Sequence, residues 1–329
     1  MNNQRFGIMI LNMNGARWLP ALFDDLRADC YANKCVYLVD NGSTDGSQAL
    51  VRDRYPEVTI LQMPRNMGYC MAYNVAVDVA WADGCDWVVW QNNDTRVLPG
   101  WLDAMAMAAA ADPRIGVMGP VFRDWSSDVA NFFMKSRYPD VIPFMEDPSR
   151  PPVDTDWVEG SALAVSRACI ERVGPLEPAL FIYWEETDFC RRARFQGWRV
   201  VLVPGSVARH FGGGDTASGA IPAVNFNSLK TRNYYVYTLC DPERSLARNG
   251  LEVAHLFLVN VKAAFRGRAP FAAIWQNVKT FAWFLVDLPQ WYGKWSRDRR
   301  REPPPRFTPG NDISLSQTFL KETSCQQPV

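Results

Sequence analysis

The chain has 329 residues, 48% hydrophobic and 21% charged, which suits one large globular domain, or a domain with an appendage, and argues against a disordered chain. Its 35 basic and 35 acidic residues cancel, so no global field points to nucleic acid as a partner. Eight cysteines without a CxxC pair argue against a zinc site or a thioredoxin-like motif, and free thiols suit a reducing cytoplasm.

The N-terminal stretch "MNNQRFGIMILNMNG" has too short an apolar run for a signal peptide and leads directly into a strand. From there strands and helices alternate. "FGIMILNMN", "KCVYLVD", "VTILQM", "DWVVWQNND" and "RIGVMGPVF" read as strands. "ARWLPALFDDLRAD", "QALVRDRY", "YCMAYNVAVDVAWAD" and "GWLDAMAMAAAAD" read as the helices between them. This pattern predicts an α/β fold with a mostly parallel central sheet flanked by helices. Residues 122 to 155, rich in proline, read as an irregular excursion or flap. "WVEGSALAVS" and "WRVVLVP" then return as strands, with a helix between them.

Beyond residue 220 the character becomes helical, through "NSLKTRNYYVYTL", "LEVAHLFLVNVKAAF" and "AIWQNVKTFAWFLVDL". The predicted organisation is a domain over 1–220, a C-terminal helical extension over 221–300 and a disordered tail over 301–329. "KWSRDRRREPPPRFTPGND" reads as basic, then proline-rich, and poorly ordered. No window offers 18 uninterrupted apolar residues, so no membrane-spanning helix is expected.

Ligands of doubly wound sheets bind at the carboxyl ends of the strands. That rule selects Asn12, Asn14, Asp40, Asn41, Asn92 and Asp94. Asp40 ends an apolar strand and suits an imide N–H such as a uracil or thymine ring presents. Ser43, Thr44 and Asp45 equally suit a turn and helix cap. Arg65 and Asn66 precede Gly68 at a helix start, where backbone can approach an anion; a plain strand-to-helix connection reads as well. "VVWQNNDT" delivers Asn92, Asn93 and Asp94 at a strand end, where one carboxylate suffices for a cation that also binds a diphosphate. An Asx-turn before Pro99 is the alternative. His210, in "VARHFGGGDTASG", is expected in a mobile loop at the pocket edge, whereas His255 reads as structural.

"FIYWEETDFCRRARFQGW" crowds Glu185, Glu186 and Asp188 beside Trp184 and ahead of three arginines. Acidic residues at a helix start and basic ones further along suit the helix dipole and i,i+4 pairing. A carboxylate among aromatics and other carboxylates also suits a general base, because its pKa is raised toward neutrality.

Taken in order, "VDNGSTDGS", "RNMGYCMAYN", "QNNDT", "VEGSALAVS", "YWEETDFCRRARFQGW" and "ARHFGG" span roughly residues 6 to 215. The chain resembles the family 2 glycosyltransferases of the GT-A fold, in their bacterial rhamnosyltransferase-like and galactofuranosyltransferase-like branch. The resemblance implies inverting transfer of a sugar, from a nucleotide-diphospho-sugar (a dTDP- or UDP-sugar, rhamnose-like) to a hydroxyl of a glycan or lipid-linked glycan in surface polysaccharide synthesis. It implies a divalent cation, Mg²⁺ or Mn²⁺, at Asp94 and His210, and Glu186 as catalytic base. Asn12, Asn14, Asp40, Asn41, Ser43, Arg65, Asn66, Gly68, Asn92 and Asn93 fall to the donor. Glu159, Trp184 and Glu185 fall to the acceptor, Trp184 by ring stacking. Two departures stand out: the DxD-like site has one acid, and Glu186 stands where Asp is usual, which leaves Glu185 as the alternative base.

The C-terminal region adds Phe281, Trp283, Phe284, Trp291 and Trp295 close to Lys294, Arg297, Arg299, Arg300 and Arg301. Aromatics beside a basic cluster suit an anionic membrane surface; a core-packing helix with a solvated tail is the other reading. The expected location is the cytoplasm, with peripheral attachment to the inner face of the membrane as its extension. The rival functions are a sugar-nucleotide-forming nucleotidyltransferase, which would need a glycine- and lysine-rich loop after the first strand, and a non-catalytic glycan-binding homologue.

Overall fold

The computed structural model describes residues 4–139, 142, 147, 149–212, 226–265 and 270–303. The first half runs β1 (Phe6–Asn12), α1 (Leu19–Ala28), β2 (Lys34–Asp40), α2 (Ser47–Arg54), β3 (Thr59–Gln62), α3 (Gly68–Ala82) and β4 (Trp87–Asn92). Next come β5 (Thr95–Val97), α4 (Trp101–Ala111), β6 (Ile115–Arg123), α5 (Phe132–Arg137), β7 (Val153–Asp154) and β8 (Ala162–Ser166). Helices α6 (Arg167–Val173) and α7 (Glu185–Phe195) lead into β9 (Arg199–His210). Four more helices follow: α8 (Phe226–Leu239), α9 (Leu246–Ala264), α10 (Pro270–Val286) and α11 (Leu288–Arg300).

Among the described residues the strands form one sheet in the order β3-β2-β1-β4-β8-β6-β9-β5, with β7 also paired to β9. From β3 to β4 every pairing is parallel. The central strands are apolar without alternation because helices cover both faces: Ile8, Met9 and Ile10 are all fully buried. Past β4 the sheet is mixed, since β8 lies antiparallel between β4 and β6. The strand expected over 157–166 begins only at Ala162; the residues before it turn across the strand ends. The short strands β5 and β7 were not foreseen, because two or three residues carry no readable period.

Strand β9 is longer than expected. A register shift opposite Pro120 and Val121, with Gly205 at φ +83°, bends it without ending it. It therefore continues to His210, and the histidine expected in a mobile loop is a paired strand residue.

The C-terminal helices are stitched to α7. Arg191 donates to the Tyr237 carbonyl at 2.7 Å and lies 3.9 Å from that ring's centroid. Lys294, buried, reaches Asp188 at 2.9 Å and Asp298 at 2.6 Å. This corrects the expectation for "KWSRDRRR": the helix runs to Arg300, and Phe284, Trp291 and Lys294 face the core. Arg297 pairs with Glu177, and Arg299 donates to the carbonyls of Pro242 and Arg244. Residues 304–329, most of the expected tail, lie outside the described residues, as do residues 140, 141, 143–146 and 148 of the expected flap.

Candidate functional site

Parallel register sets Asn12, Asp40 and Asn92 at adjoining strand ends. Asn12 is fully buried; its amide donates to Asp40 Oδ2 at 3.2 Å and Ser43 Oγ at 3.0 Å. Its Oδ1 accepts from Asn93 at 2.8 Å. Gly15 lies so close beneath Asn93 that a Cβ there would collide with the amide. Asn14, in the left-handed region at φ +51°, accepts from the Thr44 N–H at 2.8 Å while its own N–H donates to Ser43 Oγ. Asp40 is also fully buried and accepts from the Ser43 N–H at 3.0 Å and Gln48 at 2.8 Å. Three donors therefore occupy the carboxylate expected to meet a nucleobase; it shapes the loop of residues 41–46.

That loop is tied to the next. Asn41 accepts from the Met67 N–H and donates to Asn66 Oδ1, which also accepts from the Gly68 N–H. Gly68 adopts φ +79°, and a side chain there would press into the Phe181 ring. Arg65 stands exposed on this rim.

Antiparallel pairing of Thr95 with His210 brings Asp94 and His210 together from distant parts of the chain. His210 Nε2 lies 3.3 Å from Asp94 Oδ1, and Nδ1 lies 2.7 Å from Glu159 Oε1. Burial alone would lower the imidazole pKa, but the two carboxylates outweigh it and push it up to about 10. Glu159, expected on the acceptor side, thus stands behind His210 and fixes the ring so that Nε2 faces Asp94. Ser161 steadies it at 2.8 Å, and its Oε2 is buried without a hydrogen-bond partner among the described residues.

No group of three or more His, Cys, Asp or Glu arranged as a metal cage occurs among the described residues. The pair nevertheless fits a divalent cation. Donors 3.3 Å apart suit adjacent corners of an octahedron with arms of about 2.3 Å, near the range for hard cations. The carboxylate oxygen is the ligand type such ions prefer; the imidazole nitrogen is a softer donor, which would have to give up its proton to the cation.

Helix α7 supplies the remaining acids. Glu185 is buried, with Oε2 unpartnered among the described residues, and its charge acts on Tyr69 and Cys70. Burial, then the adjacent Glu186, raises its pKa well above the usual range. Glu186 is half-buried beside Gly160, whose missing side chain leaves room for it. Burial, joined by the Glu159 charge, pushes its carboxyl up to about 7. Adjacent residues at a helix start diverge: Glu185 turns inward, and Glu186 turns toward the Glu159–His210–Asp94 chain.

Trp184 corrects another expectation. Its ring stacks on Tyr234, with centroids 4.6 Å apart, and its Nε1 donates to the Lys230 carbonyl. The stack assigned to an acceptor sugar is made by α8. The loop leading to α7 is strained, since Phe181, Tyr183 and Trp184 all have φ between +63° and +73°. Asn233, fully buried on α8, holds it by donating to the carbonyls of Leu180, Ile182 and Tyr183 at 2.7, 2.9 and 3.0 Å. Sequence reasoning missed Asn233. The one available signal was an Arg-Asn pair, Arg232 and Asn233, inside an aromatic-rich helix.

Residues 8–162 match the model of glycosyl transferase family 2. The N-acetylglucosaminyl-diphospho-decaprenol L-rhamnosyltransferase of Mycobacterium tuberculosis is 33% identical, over 53% of this chain and 66% of that protein, just under two thirds of its length. The dTDP-rhamnosyl transferase RfbF of Shigella flexneri is 22% identical over 62% of this chain and 68% of that protein. Residues 1–349 of S. aureus TarS, solved with UDP-GlcNAc, superpose with a TM-score of 0.59 at 13% identity, covering 91% of this chain and 88% of that one. Residues 8–162 form a family 2 glycosyltransferase domain, and the fold is the GT-A fold.

Proposed function

We propose that the protein transfers a deoxyhexose such as rhamnose, with inversion, from a dTDP- or UDP-sugar to a hydroxyl of a lipid-linked glycan in surface polysaccharide synthesis. The observation that carries this reading is the placement of Glu186, half-buried at the start of α7, at the same end of the sheet as the Asp94–His210 pair. The rhamnosyl and decaprenol terms in the relatives' names support the choice of sugar and acceptor.

In this reading Asp94 and His210 Nε2 hold a Mg²⁺ or Mn²⁺, which when bound offsets charge on the leaving diphosphate. Glu159 keeps the imidazole oriented. Arg65, exposed on the rim, offers a second cation to the diphosphate. The Asn12–Asn14–Asp40–Ser43 clasp shapes the wall for the nucleoside, and Asn92, Asn93, Asn41 and Asn66 keep the strand ends in register. Glu186 takes the proton of the attacking hydroxyl, a task that a carboxyl near 7 performs better than an ordinary one. Glu185 gives that acid a low-dielectric neighbour from the core side. A nucleotidyltransferase is disfavoured because the turn after β1 has a single glycine, Gly15, packed under Asn93 instead of facing a phosphate.

The test is nucleotide release from a panel of dTDP-, UDP- and GDP-sugars, with and without a prenyl-diphospho-N-acetylglucosamine acceptor. Acceptor-dependent release from a dTDP- or UDP-sugar is expected. Acceptor-independent breakdown only, or no release from any donor, would overturn the reading.

A further inference from the structure

Helices α9 and α10 pack on the protein through one face each. Val253, Thr280 and Phe284 are buried, Phe257 stacks on Phe281 with centroids 4.3 Å apart, and Gln276 donates to Ser228. Their opposite faces carry large apolar side chains in water. On α9 and its C-cap these are Leu251, Leu258 and Phe265, spaced seven residues apart. On α10, Phe271, Trp275 and Val286 follow the same stripe logic, and Phe271 and Val286 are 86% and 78% exposed. Scattered exposed apolar residues need no explanation; two adjoining stripes on packed helices do.

The charge around the stripes is one-sided. Residues 246–286 contain five Lys or Arg against one acid, Glu252, in a chain whose net charge is zero. Lys262 and Lys279 are exposed beside the stripes, and Lys279 Nζ lies 5.5 Å from the Trp275 ring centroid. No described helix is long and apolar enough to cross a membrane.

We propose that the outer faces of α9 and α10 dock the protein onto an anionic lipid surface, with the aromatics at headgroup depth and the lysines on lipid phosphates. A second copy of the chain is the poorer occupant, because a symmetric contact would set these like charges against each other. An anionic bilayer supplies the opposite sign and an apolar layer together. This places lipid contact before residue 287, away from Trp291 and Lys294, which are buried. The inference does not depend on the transferase reading.

The test is co-sedimentation of the full chain with vesicles of phosphatidylcholine alone or with added phosphatidylglycerol, at low and high salt. The wild type should bind the anionic vesicles and release as salt rises. Phe271→Ser with Trp275→Ser should weaken partitioning by about 10–100-fold, since both side chains are removed from the apolar layer. Lys262→Gln with Lys279→Gln should lower affinity and flatten the salt dependence. Both pairs are on the surface, so unchanged far-ultraviolet dichroism and melting temperature will confirm folding. No binding by wild type, or equal binding by the Phe271/Trp275 variant, overturns the proposal. So does a self-associated wild type that the serine variant turns monomeric without any vesicle binding.

Discussion

Lys294→Met tests whether the C-terminal helices are part of the catalytic framework. Lys294 lies between Asp188 of α7 and Asp298 of α11, and all three side chains are at most 3% exposed. Removing the ammonium leaves Asp188 with Arg192 at 2.9 Å and Arg191 at 3.4 Å, but it strips Asp298 of the lysine that pairs with it. Breaking a buried pair from one side costs about 3–5 kcal/mol, because a charge is left uncompensated. The guanidinium groups that remain on Asp188 favour the lower end, about 3 kcal/mol. At about 2–4 °C per kcal/mol, the melting temperature should fall by roughly 6–12 °C, measured by calorimetry at pH 7. Lys294→Met combined with Asp298→Leu should recover a good part of this, since no acid then lacks a partner. The pH window follows from the shifts. Burial would raise Asp188, but Lys294, Arg192 and Arg191 outweigh it and hold the carboxyl well below its usual range. Its contribution is present above about pH 4 and lost only as pH falls through the depressed value. Burial would lower Lys294, but Asp188 and Asp298 hold it above its usual range, so its contribution fades only in strong alkali. Wild type and variant should therefore differ by a constant amount between pH 5 and 9. A variant melting within about 1 °C of wild type would refute the reasoning.

Asn233→Ala removes the donor shared by three carbonyls of the strained loop, so a stability loss of about 2–3 kcal/mol is expected in urea unfolding. Transfer should fall further than the loss of folded protein explains, and a loss limited to the unfolded fraction would show that the clamp does not position α7. Asp94→Ala, or removal of divalent cations with EDTA, should abolish most transfer, and Mn²⁺ should restore it to wild type alone; transfer indifferent to EDTA would remove the cation from the account. Glu186 binds its proton more tightly folded, near 7, than unfolded, near 4.3. Its stabilising contribution is therefore full below about pH 4 and is lost as pH rises through 7. Glu186→Gln escapes that loss and should gain on wild type in melting temperature from about pH 4 to 7, with no further gain above; curves parallel throughout would mean that folding does not shift the carboxyl.

The strand-and-helix half was legible because its signals are local and repeated. Buried strands such as "KCVYLVD" are apolar throughout, and each is followed by a polar turn and a helix. The placement of Asn12, Asp40 and Asn92 at adjoining strand ends was legible for the same reason, since the sheet rule needs only the strand boundaries. What failed depended on long-range contact. Nothing near His210 announces that β9 bends at Gly205 and continues to pair with β5. Glu159 was placed with the acceptor because its partner, His210, lies 51 residues away. Trp184 looked available for a sugar because Tyr234 and Tyr237 come from a helix with no motif of its own. Lys294 read as part of a basic tail, and only the fold reveals the two acids that bury it.

The central claim is that Glu186 serves as the base for sugar transfer at this sheet end. The direct measurement is the single-turnover transfer rate of Glu186→Gln against wild type, at saturating donor and acceptor, with donor binding followed separately by calorimetry. The amide keeps the shape and hydrogen-bonding capacity but cannot take the proton. The rate should fall by about 10²–10⁴-fold with donor affinity nearly unchanged. A rate within a few-fold of wild type, or a collapse seen only in Glu185→Gln, would contradict it.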